Sequence, residues 1–112
     1  MERKLYLKLM GLKRELNTIA DNIMNLSSGN ASRDIPLYRS MINDTLNNTI
    51  KNILDITNDE NIKNVLEKIN NNITNVNDTL IREQTTTNSI THIANYIRRN
   101  ADEIKTLLYN IK

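Results

Sequence analysis

The feature that most constrains this chain is an apolar seam that keeps one register over residues 62–111. Ile62, Leu66, Ile69, Ile73, Val76, Leu80, Glu83, Thr87, Ile90, Ala94, Ile97, Ala101, Ile104, Leu108 and Ile111 follow one another at alternating steps of four and three. Steps of that kind put side chains on one stripe of an α-helix, whereas a strand would need a period of two. A helix of such length spans roughly 75 Å at about 1.5 Å per residue, more than a chain of this size can enclose in a globule. Either the segment folds back on itself or other chains cover the seam.

The residue types at the seam favour the second answer. With Leu66 at heptad position a, the d positions hold Ile62, Ile69, Val76, Glu83, Ile90, Ile97, Ile104 and Ile111, and β-branched residues, which fill d almost throughout, select trimers or tetramers over parallel pairs. Val65, Ile93 and Leu107 at g widen the apolar face. An intramolecular helical bundle, which also needs a broad stripe, is the competing reading. Lys63, Arg98, Lys105 and Lys112 make the e column basic, and no acid at g answers them, so a partner supplying acids is expected. Glu83 and Thr87 interrupt the seam with two polar layers. Because the phase carries through them, one continuous helix over 58–112 is expected, with a break near 84–88 as the alternative.

A second seam occupies residues 1–27. Leu5, Leu9, Leu12, Leu16, Ile19, Ile23 and Leu26 alternate without a miss and predict an N-terminal amphipathic helix that packs on the bundle, with Gly29 as its stop. Lys4, Lys8, Lys13 and Arg14 surround that apolar face, which also suits peripheral contact with a membrane surface. Residues 28–35 read as a linker. Residues 36–57 read as a short second helix opened by Pro36, with Asp34 near the cap and a broad stripe of Ile42, Leu46, Ile50, Ile53 and Leu54. Thr57 and Glu60 have capping-box spacing, which predicts a helix restart there.

Composition closes off most chemistry. The chain has 112 residues, no cysteine, no tryptophan, no phenylalanine, two glycines and one proline, which excludes disulfide and thiolate chemistry and argues against a turn-rich β fold. The only histidine, His92, falls on an outer f position with no second ligand beside it. Asp59-Glu60 and Asp102-Glu103 are adjacent pairs that point to different helix faces, and no phosphate- or dinucleotide-binding glycine loop occurs. No enzyme, cofactor or metal is expected. A net charge of +2 gives no reason to expect a nucleic-acid partner, and no stretch is apolar enough to span a membrane, so an intracellular chain is expected.

Residues 59–111, with many apolar layers around a central polar one, are similar to a SNARE helix. In that family the central layer is Gln or Arg, whereas here it would be Glu83, with Gln84 one residue out of register. The excess of Asn and Ile is also typical of AT-rich genomes, those of viruses and phages among them. The fold class expected is all-α, with long heptad-repeat helices in an oligomeric coiled coil or helical bundle. The function expected is noncatalytic: a structural or scaffolding protein that self-assembles as a trimer or tetramer. The alternative is a heteromeric adaptor or tether giving one helix to a mixed bundle, as a SNARE-like complex would use.

Overall fold

A computed structural model describes residues 3–25, 31–82 and 87–110, with the side chains of 31–35, 79–90 and 110 outside that description. Every regular element among the described residues is helical: α1 (Arg3–Met24), α2 (Ala31–Asp44), a π-helical segment (Thr45–Ile50), α3 (Lys51–Ile56), α4 (Glu60–Arg82) and α5 (Thr87–Asn110). α2, the π segment and α3 run on without a gap, so the described residues form four rods. α1 packs most extensively on α5 and also meets the α2–α3 rod, while α4 lies against α2 and α5. Asp21 meets Arg98 while Tyr6 shares a groove with Tyr109, and Lys68 meets Glu103 while Asn72 meets Asn100, so α5 runs antiparallel to both α1 and α4. The bundle measures 45 × 22 × 18 Å.

The seam explains the packing. On α4, Ile62, Leu66, Ile69, Ile73 and Val76 are buried. On α5, Ala94, Ile97, Ala101, Ile104 and Leu108 are buried, and they share one core with Leu5, Leu9, Leu12, Leu16, Ile19 and Ile23 of α1. A fully buried Leu or Ile contributes about 1.5–3 kcal/mol from removal of its surface from water. The α2–α3 rod adds Ile42, Ile50 and Ile53.

Several local expectations are corrected. The single helix over 58–112 is replaced by a helical hairpin, α4 and α5, folded back so that each covers part of the other's seam. Burial within one chain is available to that hairpin and not to a straight rod. The second helix begins at Ala31, inside the expected linker, so Pro36 sits within it, where it forgoes the backbone bond to the Ser32 carbonyl and its ring crowds that carbonyl. The helix's stripe, Ile42, Leu46 and Ile50, advances in steps of four. Such steps drift around an α-helix of 3.6 residues per turn, and the wider π turn holds them toward the core. The Thr45 hydroxyl, buried at the start of that segment, donates to the Met41 carbonyl at 3.1 Å, a bond that loosens the α ladder one turn back.

The cap of α4 is Asp59 rather than Thr57. Asp59 Oδ1 accepts from the backbone N–H of Asn61 at 2.8 Å and of Ile62 at 3.3 Å, while Thr57 Oγ1 accepts from the Asp59 N–H. The carboxylate sits closer to the first free N–H groups than the buried Thr57 hydroxyl does, so it takes the capping role. Gly29, Leu26, Glu83 and Ile111, on which a helix stop, a seam end and a polar layer were expected, lie outside the described residues, as do the side chains of Leu80, Thr87 and Ile90.

Candidate interaction surfaces

The residues expected to meet other copies meet one another inside a single chain. Leu66, Ile69 and Ile73 of α4 and Ala94, Ile97, Ala101 and Ile104 of α5 have no exposed surface at all. The basic e column is answered within the chain too, in part: Arg98 Nη2 lies 2.6 Å from Asp21 Oδ1 of α1. Sequence spacing within α4 and α5 could not show this acid, because it belongs to a different seam. Lys105 is exposed and Lys63 half-buried. The buried apolar face of α1 packs on α5 and on the α2–α3 rod, while Leu7 on the same helix is 54% exposed.

Reading apolar spacing alone missed a set of asparagines that tie the rods together. Asn72 Nδ2 donates to Asn100 Oδ1 at 3.0 Å, and Asn100 Nδ2 donates to the Tyr96 carbonyl at 2.8 Å, giving α4 and α5 a polar layer at their g positions. Asn77 Nδ2 donates to Asn43 Oδ1 at 2.8 Å, joining α4 to α2. Asn77 is 8% exposed and Asn100 is 2% exposed, so these amides sit inside the bundle. The available signal was their placing at e and g, beside apolar g residues such as Val65 and Leu107. Buried amides fix register, because a slip would leave each without its partner.

Two outer grooves flank α5. The larger, about 640 Å³ between α1 and α5, is lined by Tyr6, Met10, Lys13, Lys105, Leu108 and Tyr109, among others. The second, about 500 Å³ between α4 and α5, has Val65 and Leu107 at its floor and the Lys68–Glu103 pair at its rim. Tyr109 is 78% exposed, the most open of the large apolar side chains described. Glu103, hydrogen-bonded to Lys68 at 2.8 Å and opposite in charge, raises the Lys68 pKa above its ordinary 10.5. A third recess, about 340 Å³, lies between α1 and the α2–π junction beside Gly11, Glu15 and Thr45.

Among the described residues no three His, Asp or Glu side chains converge as metal ligands, and no helix is long and apolar enough to cross a membrane. His92 is exposed on α5. Comparison with protein-family models, with curated proteins and with solved structures finds no match for this chain.

Proposed function

We propose that this chain is a noncatalytic structural or scaffolding protein that acts by associating with further copies of itself through helix packing. What carries the reading is the seam itself. It holds one phase over residues 62–111, and its described members are spent entirely on helix–helix contact. Seam residues of this kind serve association between chains as readily as within one, since the buried surface has the same chemistry in both. Trimeric or tetrameric assembly belongs to the same proposal, from the isoleucines at d. Sedimentation of the full chain over the micromolar range tests it: mass rising with concentration is the expected result, and a monomer throughout would overturn it.

A second reading has its own support. The groove between α1 and α5, with Tyr6, Met10, Leu108 and the open ring of Tyr109, offers an apolar seat with two lysines beside it. That suits an adaptor or tether that docks a helix of another protein, as in the SNARE-like alternative. Circular dichroism separates the two. A self-associating bundle is fully helical alone, whereas an adaptor of the SNARE kind gains helicity only with its partner.

A further inference from the structure

Two features bear on how one copy would engage another. The first is the symmetry of the hairpin. Lys68 meets Glu103 and Asn72 meets Asn100, and both pairs are centred on residues 85–86. The second is the continuity of the sequence pattern from α4 into α5. Val76, Leu80, Glu83, Thr87, Ile90 and Ala94 keep the four–three step, and no glycine or proline occurs anywhere in 77–100 to stop a helix.

A hairpin and a straight helix therefore satisfy the same contacts in two ways. Consider two straight helices spanning 60–110, antiparallel and related by a two-fold axis at 85–86. Residue 68 of one then meets residue 103 of the other, and 72 meets 100, so both pairings of the closed hairpin recur between copies. We propose that two copies exchange α5: α4 and α5 of each straighten into one helix, and each α5 enters the slot between α1 and α4 of the other copy. The occupant of the slot is a second copy of this chain, and the inference rests on the self-association proposed above but takes two copies, not three or four, as its unit.

Ala94, Ile97, Ala101 and Ile104 keep in the exchanged dimer the neighbours they have in the closed chain, and Arg98 finds an Asp21 in the same place. No new interface has to be designed, which is what makes exchange an inexpensive route to a dimer. Closure of the hairpin within one chain opposes it, as do Thr85, Thr86 and Asn88, which are weak helix formers. Added helical turns and rising concentration favour it.

The Lys68–Glu103 pair supplies the test. Ordinary and heavy-isotope-labelled full-length chains are unfolded together, refolded at high concentration, and treated with a zero-length carbodiimide. The reagent condenses the Lys68 amine with the Glu103 carboxylate, with loss of water, to an amide. In the exchanged dimer, linked peptides carrying one light and one heavy partner are expected. In the monomer fraction both linked peptides come from one chain. A dimer whose 68–103 links are all unmixed would overturn the exchange while leaving self-association standing, and a monomer at every concentration would overturn both. Inserting two glycines between Thr85 and Thr86 is expected to abolish the dimer with helicity unchanged. The pair Thr85→Ala and Thr86→Ala is expected to tighten dimerisation about tenfold or more, from the helix propensity of Ala over Thr. A dimer indifferent to both changes would also count against the exchange.

Discussion

The α4–α5 hairpin and the α2–α3 rod solve the same packing problem differently. In the hairpin, steps of four and three alternate strictly, both helices stay α-helical through their described length, and polar amides meet at matched heights. In the rod, successive steps of four coincide with a π-helical segment at Thr45–Ile50, and a threonine hydroxyl turns back on its own backbone. The difference teaches that where the four–three alternation lapses, the core-facing stripe is kept while the backbone bonding pattern shifts.

Core truncation is the strongest way to break this comparison. Ile69→Ala in the regular hairpin is expected to cost about 2–5 kcal/mol, read from urea unfolding. Ile50→Ala is expected to cost less, since the wider π turn can relax toward an α turn and fill part of the space. Equal costs would show that the two rods are equally rigid. Next in size is the polar layer. Asn100→Ala leaves the half-buried Asn72 amide without its partner, while the Tyr96 carbonyl keeps the backbone N–H of residue 100, for a loss of about 1 kcal/mol.

Gly11→Ala is expected to act in the opposite direction. A Cβ at Gly11 meets nothing within 4 Å, on the side of α1 that faces the π junction. The variant should gain about 1 kcal/mol, seen as a higher midpoint in urea. A loss would mean that the recess beside the π turn closes in solution. Smallest is the Lys68–Glu103 pair at the hairpin's rim. The raised Lys68 pKa means its stabilisation is fully present below about 10.5, the unfolded value, and is lost as pH rises through the higher folded value. Both partners are exposed to solvent, so Glu103→Gln should lower the thermal midpoint only slightly, and about 1 M salt should erase the difference.

The all-helical class and most of the core were legible in the sequence, because heptad spacing reports directly which side of a helix is covered. Ile62 to Val76 and Leu5 to Ile23 are buried as that spacing requires. The same spacing is silent about what does the covering. Leu66 reads alike whether α5 of its own chain or of another lies against it, and for this reason a continuous helix was expected where a hairpin stands. The asparagines were hidden for a related cause: twenty of them occur, and only pairing across helices distinguishes Asn72, Asn77 and Asn100 from the others. The π turn was visible only as irregularity, since the backbone change that repairs the phase leaves no residue signature of its own.

The antiparallel lie of α1 on α5 has a mechanical consequence. Tyr6 and Tyr109 line one groove, so residues 3 and 110 belong to the same pole of the bundle. A pull applied through these two points opens the α1–α5 contact from that pole inward, loading one side-chain layer at a time. Force applied across opposite poles would shear all layers together and meet far more resistance.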